Sequence, residues 1–303
     1  MHIPIVFSFN DKYTIPAGVC ITSLLSTAFK NNFYEIHILY GQNRLNQANQ
    51  KKIKQLEKEY SNCAISFVSV NNKFNNAYEI RDVSLDTYFR LLIPSIFAAH
   101  SRVIYCDVDI IFKKDISGLL KTNLTNKCIA GVKEYPNSIL HPKVKRHISK
   151  LDLEASKYIN AGVLIFNNDI INSHKNYETL INSHMKRKFK YQDQDILNII
   201  FKNEIKFLPD SYNYNYNSIE QGINIIDPHI IHYTLQKPWN QPKLFSQYWW
   251  DNYANSIFYD EKFYFSHIKE NYSYFDIVIN LGRRLNKIGL FHLYRFLQRF
   301  SKS

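Results

Sequence analysis

Val103-Ile104-Tyr105-Cys106-Asp107-Val108-Asp109-Ile110-Ile111-Phe112 sets two carboxylates two positions apart in an otherwise apolar run. In an extended chain residues i and i+2 point the same way, so Asp107 and Asp109 are predicted to leave one face together. Val103 to Cys106 reads as a buried strand, and both aspartates fall where it runs out. Two ionised carboxylates that close repel each other unless a cation lies between them. Carboxylate oxygens suit hard ions such as Mg²⁺ or Mn²⁺, which also bind phosphate oxygens. The competing reading is a strand-end aspartate capping a turn, or two solvated charges.

The surrounding composition is that of an ordinary globular chain: 303 residues, 45% hydrophobic and 21% charged. That length allows one large domain or two modest ones. A formal net charge of +12 favours a polyanionic partner: nucleic acid, a phosphorylated ligand or an anionic membrane surface. Cys20, Cys63, Cys106 and Cys128 are far apart in apolar runs and lack metal-binding spacing, so they are expected to be reduced core residues of a cytosolic protein. The start, Met1-His2-Ile3-Pro4-Ile5-Val6-Phe7, lacks the basic opening of a signal peptide, and no apolar run is long enough to span a membrane.

Outward from the aspartates, the chain reads as alternating strands and helices. Ile3 to Phe9 is a predicted strand running into the polar turn Asn10 to Tyr13, and Thr14 with Pro16 opens a helix. Glu35–Tyr40 and Ala64–Val70 read as strands on either side of a polar helix over Leu45–Tyr60. This β-α-β-α-β order predicts parallel strands with crossover helices, and a ligand beyond the strands' carboxyl ends. Neither Gly-x-Gly-x-x-Gly nor a P-loop is present, which argues against a dinucleotide or ATP cradle. Ser84–Ile93 reads as a helix ending before Pro94, with Arg90 inside it either as a buried ion pair or as a phosphate or carboxylate holder. Cys128–Val132 is a further strand, and Pro136–Ser156, polar and without period, is expected to be a mobile loop over the site.

Three later stretches complete the pattern. In Tyr158-Ile159-Asn160-Ala161-Gly162-Val163, small residues before an apolar strand let the backbone approach something closely. Tyr191-Gln192-Asp193-Gln194-Asp195 opens a helix, where acidic groups commonly just complement the dipole. Ile230-Ile231-His232-Tyr233 is a short strand ahead of Lys237-Pro238-Trp239, and a histidine so placed is either a core residue or a ligand.

Taken in order, these motifs resemble glycosyltransferase family 8, most closely its bacterial lipopolysaccharide and lipooligosaccharide galactosyl- and glucosyltransferases. The resemblance covers roughly residues 3 to 240. It rests on Phe7–Tyr13, Thr87–Pro94, Asp107-x-Asp109, Asn160-Ala161-Gly162, Gln192-Asp193-Gln194-Asp195, and His232 with Lys237-Pro238-Trp239. It implies a GT-A fold, an α/β Rossmann-like nucleotide-sugar-binding unit, and a UDP-galactose or UDP-glucose donor. It further implies retention of anomeric configuration, which gives an α-linked product. By motif match, Asp107, Asp109 and His232 would ligate Mn²⁺ or Mg²⁺, with Val108 between the two aspartates at the donor. Ser8, Asn10 and Tyr13 match uracil and ribose contacts; Arg90, Asn160 and Ala161 match contacts to the donor sugar or its phosphates. Asp193 and Gln194 match residues beside the reacting carbon, and Lys237 a diphosphate contact. Gln194 is a poor nucleophile, so front-face attack assisted by the leaving phosphate is expected. Two departures stand out: Asn10 replaces a common Asp, and the stretch between His232 and Lys237 lacks a common Gly-Pro step.

A GT-A domain over residues 1–265 is therefore expected, followed by a mainly helical tail over 266–303. After Asp276 there are six Lys or Arg and no acidic residue, with Leu290, Leu293, Tyr294, Leu297 and Phe300 near a separate face. That pattern suits an interfacial helix on an anionic membrane, hence a cytoplasmic enzyme on the inner face of the membrane acting on a glycan or glycolipid. A sugar nucleotidyltransferase would need a Gly-rich basic signature that is absent, and a degenerate non-catalytic binder would not need the intact motifs. A nucleic-acid role is suggested by charge alone.

Overall fold

The computed structural model describes residues 1–71, 74, 85–134, 141–173, 176–185, 187–215, 218, 225–234, 237–240 and 245–267. Ile3 to Phe7 are buried without a break in β1 (His2–Ser8), as a strand covered on both faces requires. α1 (Thr14–Ser26) follows and carries the chain over the sheet to β2 (Phe33–Gly41). α2 (Gln47–Lys54) leads in the same way to β3 (Cys63–Val70). β4 (Arg102–Cys106) ends at the first aspartate of the Asp-x-Asp pair, and β5 (Ile110–Phe112) begins just after the second.

The main sheet has seven strands in the order β3-β2-β1-β4-β7-β6-β8, with β6 (Ile129–Lys133), β7 (Ile159–Asn167) and β8 (Ile205–Phe207) completing it. β1 pairs in parallel with β2 and β4, aligning Ile5 with Ile36 and with Ile104. β7 is antiparallel to both β4 and β6. A second, three-stranded sheet is built from β5, β9 (Tyr214–Asn215) and β10 (Ile230–His232), with β10 in its centre. The chain therefore changes sheet at Asp107-Val108-Asp109, and this crossing brings β10 and its His232 back beside the aspartates.

Three expectations change. The helix before Pro94 is a 3-10 helix over Leu85–Leu92, and it passes into an α-turn, Ile93–Ile96. Pro94 lies in that first turn, where its missing N–H would be unpaired anyway. The polar helix starts at Gln47 because the Asn46 side chain caps the Asn49 N–H, and it divides at Gln55 into α2 and a turn, Leu56–Glu59. Within the expected loop, Pro142–Lys150 is a helix, α3, started by the His141 side chain and anchored by the fully buried Ile148 against Tyr158. The parallel pairing expected of the first three strands is present; beyond them β7 runs antiparallel to its neighbours, and a second sheet stands beside the first.

α4 (Gln192–Ile200) packs with β7 and the 3-10 helix around one apolar cluster that includes Phe89, Leu164, Ile196 and Leu197. Each such side chain contributes roughly 1.5–3 kcal/mol on burial. The four cysteines are buried free thiols. No helix among the described residues is long and apolar enough to cross a membrane. Packing divides the chain into two units, Met1–Leu235 and Gln236–Ser303. In the second, α5 (Ser246–Ala254) buries Trp249, Trp250 and Tyr253, with the Trp249 and Tyr253 rings stacked at 5.3 Å. Residues 268–303, which carry nearly all of the expected tail, lie outside the described residues.

Candidate active site

The site lies at the carboxyl ends of β1 and β4, where a parallel sheet leaves backbone groups and side chains facing outward together. Asp107 and Asp109 project from the crossing between sheets, and His232 from the end of β10. His232 Nε2 lies 3.3 Å from Asp109 Oδ1 and 3.8 Å from Asp107 Oδ2, and one ligand atom from each residue falls within 4.8 Å of the others. Asp109 and His232 are buried.

A chain of hydrogen bonds sets the histidine's tautomer. The Gly162 N–H can only donate, and it donates to Asn160 Oδ1 at 2.8 Å. Asn213 Nδ2 donates to the same oxygen at 2.8 Å, which turns Asn213 Oδ1 towards His232 Nδ1 at 2.7 Å. Nδ1 must then carry the proton, and Nε2 presents its lone pair to the two aspartates. Such an arrangement is what a metal-ligating imidazole requires. Two carboxylates and one imidazole lone pair, converging within a few ångströms, fit a divalent ion that accepts O and N donors. Gly162 is needed for the same reason: a Cβ there would collide with His232 Cε1. What the small residue admits is this imidazole ring.

From the Asn160 amide the network continues the other way. Asn160 Nδ2 donates to Glu134 Oε2 at 2.8 Å, and Gln194 Nε2 reaches the same oxygen at 3.3 Å. Gln194 Oε1 accepts from the Ala161 N–H at 3.0 Å, which fixes its carbonyl orientation. Gln192 opens α4 at φ 42°, a left-handed conformation that costs an ordinary residue roughly 1–2 kcal/mol. Asp195, one turn further along the helix, holds it there: this carboxylate is fully buried and accepts from Tyr158 Oη, the Tyr191 N–H and His147.

Arg90 is buried beneath both sets. Its Nη2 donates to Asp107 Oδ1 at 2.9 Å and to Thr87 Oγ1 at 2.8 Å, its Nη1 donates to the Ala161 carbonyl, and its Nε lies 3.0 Å from Asp193 Oδ2. The internal ion pair is thus the arrangement seen. Asp193 is 4% exposed, and burial pushes its carboxyl up to about 6 despite the opposing pull of Arg90 and Thr87. Asp107 Oδ1 also accepts from Tyr105 Oη at 2.8 Å.

Next to this centre, Ser8 Oγ donates to the Asp86 carbonyl at 2.7 Å, and Asn10 Nδ2 donates to Asp86 Oδ2 at 2.6 Å. Arg44 closes on the same buried carboxylate at 3.0 Å. This accounts for Asn10: an aspartate there would face Asp86 with like charge, whereas the amide donates to it. Tyr13 ends the short 3-10 turn over Asp11–Tyr13 that Asn10 caps. Lys237 belongs to the second unit. Arg44, Asp86, Glu134 and Asn213 join the site without having been marked by sequence pattern. Asp86 stands just ahead of Thr87–Pro94, and Glu134 just after the strand over Cys128–Val132, so an acidic residue beside a motif was the available signal. Arg44 and Asn213 lie in short turns with no pattern to mark them.

A family model described as glycosyl transferase family 8 matches residues 4–242. A lipopolysaccharide 1,2-glucosyltransferase of Escherichia coli is 25% identical over 269 residues, covering 84% of this chain and 75% of the relative. A lipopolysaccharide 1,3-galactosyltransferase of Salmonella typhimurium is 26% identical over 267 residues, covering 83% and 78%. A Haemophilus influenzae relative is 30% identical over 215 residues, and the match spans 69% of this chain but 62% of that protein. Among solved structures, the galactosyltransferase LgtC in complex with donor and acceptor sugar analogs superposes with a TM-score of 0.74 at 21% identity, covering 86% of this chain and 98% of LgtC. The bifunctional glycosyltransferase WbbM gives 0.75 at 24% identity, covering 88% of this chain and 51% of its own. The structural likenesses share the GT-A arrangement of a mostly parallel sheet. The chain belongs to glycosyl transferase family 8.

Proposed function

We propose that this protein is a retaining hexosyltransferase. It would move galactose or glucose from the UDP-sugar to a hydroxyl of a lipopolysaccharide- or lipooligosaccharide-type acceptor with α-linkage. The observation that carries the reading is the Asp107–Asp109–His232 group, with the His232 lone pair directed at two carboxylates by Asn213. The names of the Salmonella and Escherichia relatives support the acceptor class.

Asp107, Asp109 and His232 would hold Mn²⁺ or Mg²⁺, which supplies neutralisation of the diphosphate charge as UDP leaves. Ser8, Asn10 and Tyr13 serve the uracil and ribose, on a floor made rigid by Asp86 and Arg44. Val108 lies between the two aspartates at the donor. Arg90 acts on the donor through Asp107 and Asp193, holding both carboxylates in place. Asn160 and Ala161 set the Gln194 amide beside the sugar. The anomeric C–O bond to UDP breaks as the bond to the acceptor oxygen forms on the same face, and the acceptor proton passes to the departing phosphate oxygen. Gln194 steadies the developing positive charge with its carbonyl oxygen and takes no proton. Asp193 orients the sugar hydroxyls.

The basic tail would hold the enzyme at the inner face of the cytoplasmic membrane. At about 1 kcal/mol for each Lys or Arg near an anionic surface, the six after Asp276 suffice. Deleting residues 277–303 is expected to abolish sedimentation with anionic liposomes while leaving transfer to a short soluble acceptor.

The chemistry is tested by incubating UDP-galactose and UDP-glucose with the enzyme and an oligosaccharide acceptor, with and without Mn²⁺, and reading the product by NMR. A small anomeric coupling, marking an α-linkage, and activity lost on chelation are expected. A β-linked product, or turnover unchanged by chelation and by Asp109→Asn, would overturn the reading.

A further inference from the structure

A second group of ligating side chains stands at the opposite end of the sheet. Glu35 and His37 occupy alternate positions of β2, both on its half-buried face, and His100 lies in the turn leading to β4. One ligand atom from each of the three falls within 4.8 Å of the others. His100 is seven residues ahead of Asp107, on the order of 20 Å along an extended chain, so this group is separate from the candidate active site.

Each member is held. Glu35 Oε1 meets His2 Nδ1 at 2.5 Å, while its Oε2 faces His100 Nε2 at 3.9 Å. The turn carrying His100 is tied down by the fully buried Asn168, whose amide donates to the carbonyls of Phe97 and His100, both at 2.9 Å. His37 packs on the Phe97 ring at 4.7 Å, and its Nδ1 meets Ser66 Oγ at 2.6 Å. Its other nitrogen, Nε2, is buried with no hydrogen-bond partner. If Nε2 carried the proton, a buried donor would be left unpaired; with the proton on Nδ1 and given to Ser66, Nε2 is a bare lone pair.

We propose that Glu35, His37 and His100 form a binding site for a transition-metal ion of the Zn²⁺ class. His37 would ligate through Nε2. Two imidazoles and one carboxylate are the donor set Zn²⁺ takes in three-ligand sites, and imidazole favours it over Mg²⁺ or Mn²⁺. Ser66 and His2 play the orienting part for His37 and Glu35 that outer hydrogen-bond partners play in metal sites. The ion would clasp β2 to the turn before β4, across β1. Neither the transfer reaction nor its own divalent ion is required for this site.

The test is calorimetric titration of Zn²⁺ into the metal-free full-length Asp109→Asn protein, in which the active-site group is disabled. One equivalent is expected to bind, and thermal melts should shift upward with Zn²⁺ concentration. Adding His37→Gln and His100→Gln should remove that equivalent and the shift, and adding Ser66→Ala instead should weaken binding about 10- to 100-fold. Far-UV circular dichroism of the metal-free variants checks that they fold; should the double change unfold the protein, His100→Gln alone, at a half-exposed position, must weaken binding. Co²⁺ in place of Zn²⁺ should give visible absorption bands that His37→Gln abolishes. No saturable equivalent in the Asp109→Asn protein, or an equivalent that persists without His37 and His100, would mean adventitious surface binding only and overturn the proposal.

Discussion

Replacing Asn213 by leucine probes the device that prepares His232. Leucine keeps the branched shape and number of heavy atoms in a fully buried position but removes two hydrogen bonds, to Asn160 Oδ1 at 2.8 Å and to His232 Nδ1 at 2.7 Å. Asn160 Oδ1 keeps the Gly162 N–H. The Nδ1–H of His232 would be left buried without an acceptor, costing about 1–3 kcal/mol. The ring can avoid that cost by moving its proton to Nε2, where Asp109 Oδ1 waits at 3.3 Å. Either way the variant folds, and the free protein loses up to about 3 kcal/mol. The switched tautomer, however, has no lone pair facing the aspartates. Mn²⁺ affinity should therefore fall about 10- to 100-fold, as it does when the hydrogen-bond partner of a ligating histidine is lost. Electron paramagnetic resonance of free Mn²⁺ during titration reads the affinity, and ¹⁵N chemical shifts of labelled histidine read the tautomer. Asn213→Asp keeps an acceptor for Nδ1–H while opposing Asn160 Oδ1 with a like partner, so it should lose stability but retain the tautomer. A folded Asn213→Leu protein with wild-type Mn²⁺ affinity would refute the argument.

Gly162→Ala forces a carbon into the space of His232 Cε1 unless the ring moves; overpacking of about 1–3 kcal/mol and loss of Mn²⁺ binding are expected, read by melting and by the same titration. The Asp193 carboxyl, raised from 3.8 to about 6, adds stability that is complete below about pH 3.8 and lost as pH rises through about 6. Because each pH unit separating those two values is worth roughly 1.4 kcal/mol, and part of the loss falls below pH 4, the metal-free Asp193→Asn protein should gain about 2 kcal/mol relative to wild type between pH 4 and pH 8. Identical pH dependence of urea unfolding in the two proteins would rule that out.

The sequence by itself determined the order of the first three strands and their crossover helices, because apolar runs of strand length and helical periods are local properties. It also marked Asp107, Asp109 and His232, since each lies beside an apolar strand that the structure places in a sheet. It could not show that β4 and β5 belong to different sheets, because pairing partners are chosen by residues more than a hundred positions away. Nor could it decide between the two readings of Arg90, since burial and partners such as Asp193 exist only once α4 has packed on the 3-10 helix. The helix Pro142–Lys150 was obscured because its apolar face is only Val144 and Ile148, too little for a visible period. Asn213 and Arg44 carry no local signature at all. Their roles come from a few hydrogen bonds across the fold, and such contacts depend on where the backbone ends up rather than on what stands next to them in the chain.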